Sequence, residues 1–156
     1  MKKTFNASSV SLDTNFILSI IIKRDNTALA LKILSSIVEH YDRIFVANQA
    51  IVETVYVLEG IHKFNPDMSR LQKQEIMNYV YAIINTPKVF IENKKIIEKA
   101  FGLYITQKLD FGDSLIAAAI LHKGIKEIVS FDNDFLKIQE FKVIRDINEI
   151  KERGRV

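Results

Sequence analysis

Six carboxylates occupy positions from which they could do chemistry. Asp13 follows a short apolar run in Ser11-Leu12-Asp13-Thr14-Asn15, and Glu53 lies in Ile51-Val52-Glu53-Thr54. Asp110 and Asp113 stand three apart before the apolar stretch Leu115 to Leu121, and Asp132 and Asp134 follow Ser130-Phe131. Most also have an ordinary structural role. Asp13 and Asp110 can cap helices, Asp113 can stabilise a helix dipole from the first turn, and Asp132 and Asp134 suit a turn. Glu53 lacks such a role. If Asn48 caps its helix, the capping-box partner is Ile51, and Glu53 falls beyond the first turn with Gln49, Ala50, Tyr56 and Val57 as helical neighbours. A carboxylate on so apolar a face is expected to be desolvated, at a cost that a cation or hydrogen bonds must offset.

The other ligand types are scarce. The chain has no cysteine, which excludes a disulfide framework, a thiolate zinc site and a cysteine nucleophile, and fits a reducing compartment. His40, His62 and His122 are dispersed and read as surface or core residues. Oxygen-only ligands select hard cations such as Mg²⁺ or Mn²⁺, which keep several waters and engage substrate phosphates. The chemistry that follows is phosphodiester hydrolysis. The cation would polarise a phosphoryl oxygen, acidify an attacking water and shield developing charge.

To act together, these residues must be gathered by the fold. Short runs rich in Val, Ile and Phe predict five strands: Val10 to Leu12, Ile44 to Ala47, Val89 to Ile91, Ile128 to Phe131 and Val143 to Ile144. Helical spacing predicts helices over Thr14 to Lys23, Ala28 to Glu39 behind Thr27, Gln49 to His62 behind Asn48, Arg70 to Asn85 behind Ser69, and Lys94 to Lys108 behind Asn93. A further helix opens at Asp110 and ends near Gly124, and its apolar run implies burial. Alternating strands and helices imply an α/β fold with a parallel sheet covered on both faces, in which ligands bind beyond the carboxyl ends of the strands. That arrangement would set Asp13, Asp113 and Asp132 on one edge, with Glu53 entering from an adjacent helix.

Composition is consistent with one such unit. The chain has 156 residues, 48% of them hydrophobic and 26% charged. A chain of this length buries roughly two-thirds of its unfolded surface in a single core. We expect one domain over residues 1–156, without repeats or a Gly/Pro-rich linker. The opening Met1 to Val10 carries two lysines and no apolar region of the secretory kind. No apolar run approaches the roughly 20 residues that cross a bilayer. A cytoplasmic protein without membrane association is expected. A net charge of +3 is only mildly suited to a polyanion. Lys23, Arg24, Lys63 and Lys137 could contact phosphates, although solvation accounts for each.

In order and context these segments resemble the PIN-domain ribonucleases. The resemblance rests on Asp13-Thr14-Asn15, on Glu53 in Ile51-Val52-Glu53-Thr54, on Asp110-Phe111-Gly112-Asp113-Ser114, and on Ser130-Phe131-Asp132-Asn133-Asp134-Phe135. It covers nearly the whole chain. It implies a three-layer α/β/α fold with a central parallel sheet of about five strands, and a Mg²⁺- or Mn²⁺-dependent endoribonuclease similar to the single-domain toxins of the VapC type. Asp13, Glu53 and Asp113 would then be the central catalytic metal ligands and Asp132 a fourth, outer one. Asn15 and Ser130 would orient them, and Asp134 would be a further supporting residue. An RNA substrate, an antitoxin protein and a homodimer are likewise implied by the resemblance. The chain departs from the pattern in the length preceding the first strand and in Gly112, where the family often has alanine; neither position is a ligand.

Other readings account for less. A haloacid-dehalogenase-type phosphatase needs a second acidic residue where this chain has Asn15, and a receiver domain needs an acidic pair that Asp13 lacks. The alternatives that keep the fold are a catalytically silent module binding RNA or protein, and a housekeeping RNA-processing nuclease. All four acidic positions being filled favours activity.

Overall fold

The computed structural model describes residues 8–151. Most of the opening segment considered above, residues 1–7, therefore lies outside the described residues. The chain divides into two compact units, Met1–Lys94 and Lys95–Val156.

The first unit runs β1 (Ser9–Leu12), α1 (Thr14–Ile21), α2 (Thr27–His40), β2 (Arg43–Val46), α3 (Asn48–Phe64), α4 (Lys73–Ile84) and β3 (Val89–Ile91). The strands form a parallel sheet in the order β1-β2-β3. Parallel neighbours need long crossovers, and each is supplied by a pair of helices. Leu12 lies opposite Val46, and Val46 opposite Ile91, so all three strands end at a common carboxyl edge. The central strand is the most sheltered, with Ile44 and Val46 fully buried. Along α3 the buried residues Ile51, Thr54, Val55, Leu58 and Ile61 follow helical spacing, and the helix packs on α1 and α4. The hydroxyl of Thr54 is satisfied within the helix by donating to the Ala50 carbonyl at 2.7 Å. Lys88 adopts a left-handed φ of 67° and its ammonium donates to the Val38 and Tyr41 carbonyls, placing positive charge at the end of α2.

The second unit contains α5, which starts at the boundary (Lys94–Thr106), α6 (Phe111–His122), β4 (Glu127–Val129), a 3-10 turn (Asn133–Lys137), β5 (Lys142–Ile144) and α7 (Ile147–Lys151). Strands β4 and β5 pair in parallel, with Val129 opposite Ile144. Phe101, Tyr104 and Phe111 are buried together, with ring centroids 4.5 to 6.2 Å apart. Such spacing favours edge-on and tilted aromatic packing. A second apolar cluster of Leu109, Ala117, Phe135, Ile138 and Phe141 secures α6 and the 3-10 turn. Gly124 ends α6 in the left-handed region at φ 73°, where its N–H reaches the Leu121 carbonyl at 2.9 Å and glycine incurs no Cβ clash.

All five expected strands are present, but their hydrogen bonds divide them into sheets of three and two among the described residues. Several caps differ from expectation. Thr27 is the first residue of α2 and not its cap; its hydroxyl accepts from Arg24 N–H at 2.8 Å and donates to the Ile22 carbonyl. Asn48 likewise lies inside α3, which Ala47 precedes without a side-chain cap. Helix α4 starts after Gln72, three residues past Ser69, because the Glu75 carboxylate accepts from the Gln72 N–H at 2.7 Å. Helix α6 is not buried all round: Ala117 and Ala118 are inside, whereas Ile116 is 49% exposed. The 3-10 turn and α7 were not expected, being too short for periodicity to reveal.

Candidate active site

In the first unit the carboxyl edge carries Asp13 and, from α3, Glu53. Asp13 does cap α1: its Oδ1 accepts from the Phe16 N–H at 2.8 Å. Thr14, the next residue, donates its hydroxyl to Glu53 Oε2 at 2.7 Å, and Gln49 donates its amide to Oε1 at 3.2 Å. Both carboxylate oxygens therefore have a donor. The Thr14 hydroxyl, and secondarily the Gln49 amide, hold the Glu53 carboxyl below its ordinary value of 4.5. The expectation that Glu53 is desolvated on an apolar face is corrected here. Glu53 is exposed, and so is Tyr56 beside it, because α3 turns the opposite stripe of Ile51, Val55 and Leu58 into the core. Asn15 is also exposed, and its backbone carbonyl accepts from the Ser19 hydroxyl at 2.9 Å.

The second unit holds a different arrangement. Asp110 caps α6, its Oδ1 accepting from the Asp113 N–H at 2.8 Å. The cap orients the first turn and leaves the Asp113 carboxylate half-buried, with no hydrogen bond to it among the described residues. The loop after β4 brings two more carboxylates to it. Ser130 Oγ accepts from the Asp132 N–H at 3.0 Å, and Asp132 Oδ1 accepts from the Asp134 N–H at 2.8 Å, a chain of turn bonds that folds the segment onto itself. Oxygens of Asp113, Asp132 and Asp134 lie within 4.8 Å of one another. Burial pushes the Asp113 carboxyl above its ordinary value of 3.8, aided by the negative charges of Asp110, Asp132 and Asp134, while Lys137 opposes the shift. Lys137 is itself paired with Asp134.

The donor set fits a hard divalent cation. It consists of carboxylate oxygens, those of Asp113, Asp132 and Asp134 gathered within 4.8 Å, with Lys137 paired to Asp134 beside them. Two hydrogen-bond donors to Glu53 were not anticipated as such. Gln49 figured only as a helical neighbour, although its spacing of four residues faces the side chains toward each other and the bond could have been read. Thr14 could not, since its contact spans 39 positions.

The PIN domain family matches residues 10–140, a span holding every acidic residue discussed above. The chain is also similar to a VapC ribonuclease of Aquifex aeolicus (strain VF5), 32% identical over 108 residues that cover 69% of this chain and 74% of the relative. It belongs to the PIN domain family, and its α/β architecture is that of a PIN-like fold. Among solved structures it is similar to VapC20 of Mycobacterium tuberculosis, described as a sarcin-ricin loop cleaving toxin, at 18% identity and a TM-score of 0.38, covering 89% of this chain and 100% of that one.

Proposed function

We propose that the chain is a divalent-metal-dependent endoribonuclease that hydrolyses RNA phosphodiester bonds and serves as the toxin of a toxin-antitoxin pair. The observation that carries this reading is the cluster of Asp113, Asp132 and Asp134 oxygens within 4.8 Å, in a PIN domain whose relative is a VapC ribonuclease. Residues 1–156 act as one nuclease domain, in the cytoplasm and as a homodimer, with an antitoxin protein as partner. Among the described residues no helix is long and apolar enough to cross a membrane.

In this reading Asp13, Glu53 and Asp113 hold Mg²⁺ or Mn²⁺, with Asp132 as an outer ligand and Asp134 in support. When bound, the cation supplies Lewis acidity toward a phosphoryl oxygen and acidifies water for attack. The chain's own groups prepare for it in distinct ways. Glu53, its charge favoured by Thr14 and Gln49, stays ionised throughout the neutral range. Asp13 commits Oδ1 to the α1 cap, which leaves Oδ2 for a ligand. Ser130 shapes the turn that presents Asp132, and Arg145 donates to the Asp132 carbonyl at 3.1 Å. Asn15 is assigned a supporting role beside Asp13.

The purified protein is expected to cut single-stranded RNA with Mg²⁺ or Mn²⁺ and to stop in EDTA. RNA binding without cleavage across a broad substrate panel would replace this reading with that of a silent binding module.

A further inference from the structure

Phe131 is 86% exposed, the most exposed large apolar side chain among the described residues. Such a ring is ordinarily drawn into a core, and here both neighbours hold the backbone so that it is not. The Ser130 N–H donates to the Ile144 carbonyl at 3.3 Å, and the Ser130 hydroxyl accepts from the Asp132 N–H at 3.0 Å. Arg145 donates to the Asp132 carbonyl at 3.1 Å and to Asn133 Oδ1 at 2.8 Å, which ties the turn from its other side. The ring is thus displayed on a braced segment, one residue from Asp132 and its carboxylate cluster. Val129 and Leu136, in the same stretch, are exposed as well.

We infer that Phe131 is a stacking platform for a base of the RNA substrate, next to the phosphate to be cut; this rests on the ribonuclease reading. Three features favour a nucleobase as the occupant. Phe131 immediately precedes Asp132, a member of the carboxylate cluster, so a ligand that covers the ring comes to the segment that carries those carboxylates, and a phosphodiester paired with a divalent cation is compatible with them. The Arg145 guanidinium is held in the same turn, supplying a positive charge beside a polyanion's path. Every base offers a π-face to an aromatic side chain, so one exposed ring can hold a single-stranded substrate without reading its sequence. The role is one of binding: stacking would hold the nucleotide next to the scissile bond equally in the ground state and the transition state, so its loss is read in KM more than in kcat.

The chain has no tryptophan, so Phe131→Trp introduces a single indole whose emission reports stacking directly. Mixed rapidly with a short single-stranded RNA, this variant of the full chain is expected to lose emission in the binding phase, before product forms. An RNA of the same length lacking the base beside the cut should leave the emission nearly unchanged. In steady-state cleavage, Phe131→Ala should raise KM roughly tenfold on intact RNA, the size of one base–aromatic stack, with kcat less affected. Phe131→Leu should behave like alanine, Phe131→Tyr like wild type, and the abasic RNA should no longer distinguish any of them. Equal quenching by intact and abasic RNA, or an unchanged KM in Phe131→Ala, would overturn the inference. A wild type that never cuts RNA, while the quenching still discriminates the abasic strand, would overturn the nuclease reading and leave the platform standing.

Discussion

Glu53 in the first unit and Asp113 in the second are both carboxylates on helices, yet their surroundings are opposite. Glu53 is exposed and receives a donor on each oxygen, and its charge is favoured. Asp113 is half-buried, its carboxylate accepts no hydrogen bond among the described residues, and its charge is opposed by burial and by Asp110, Asp132 and Asp134, with Lys137 acting the other way. One region is ordered by its own hydrogen bonds and needs nothing further to hold its shape. The other holds a carboxyl raised first by burial and then by its acidic neighbours, and an added cation would favour its charged form. Acidic residues of one proposed site need not be prepared for metal in the same way, and the same substitutions and titrations applied to both regions test that.

The largest expected effects are on activity. Glu53→Gln and Asp113→Asn should each abolish RNA cleavage, measured on a common substrate with circular dichroism to confirm folding. Activity surviving in either would remove that residue from the proposed ligand set. Thr14→Val should follow with a loss of roughly 10- to 100-fold, the usual range for a group that orients a ligand without touching the metal. Raising Mn²⁺ should recover part of that activity, since the lesion lies in affinity.

Metal and stability come next. Addition of Mg²⁺ at about 100 times its Kd should stabilise the wild type by roughly 2.7 kcal/mol through mass action. Asp113→Asn should lose that response, as read in thermal melts. Without metal, the two variants are expected to move in opposite directions. A carboxyl raised in the folded state contributes stability that is present below its unfolded value and lost as pH rises through the folded one. Asp113→Asn should therefore melt higher than wild type at neutral pH, the gap closing as pH falls below about 3.8. A modest opposing loss of roughly 0.3 to 1 kcal/mol from the helix dipole limits the gain. A lowered carboxyl works the other way, its stability present above the unfolded value and lost as pH falls through the folded one. Glu53→Gln should melt slightly lower at neutral pH, the gap closing as pH drops below about 4.5. Parallel shifts in the two pH series would erase the contrast.

The smallest effect belongs to Asp110→Asn. Asparagine caps a helix about as well as aspartate, so folding should be unchanged and cleavage largely retained. Loss of activity there would mean that Asp110 acts on the metal and not through the α6 cap.

Local patterns carried much of this in the sequence itself. The apolar runs around Ile44, Phe90 and Ile128 located the strands, because short runs rich in Val, Ile and Phe suit a strand even where, as in β3 and β4, it is only partly buried. The caps at Asp13 and Asp110 were equally legible, since the first turn of a helix needs an acceptor within three residues. The absence of cysteine and the run of carboxylates limited the ligand chemistry to oxygen. Tertiary structure decided what each carboxylate experiences. Glu53 was expected to be desolvated because its neighbours are apolar, but apolar neighbours become core only when another element covers them, and α3 buries its other face. Thr14 meets Glu53 across 39 positions, a contact no local pattern encodes. Asp134, expected only in support, joins Asp113 because the Ser130–Asp132–Asp134 hydrogen bonds curl the turn back on itself. Residue type and spacing determine which groups are available and where helices and strands begin; burial, charge repulsion and donor placement arise only when segments far apart in the chain are brought together.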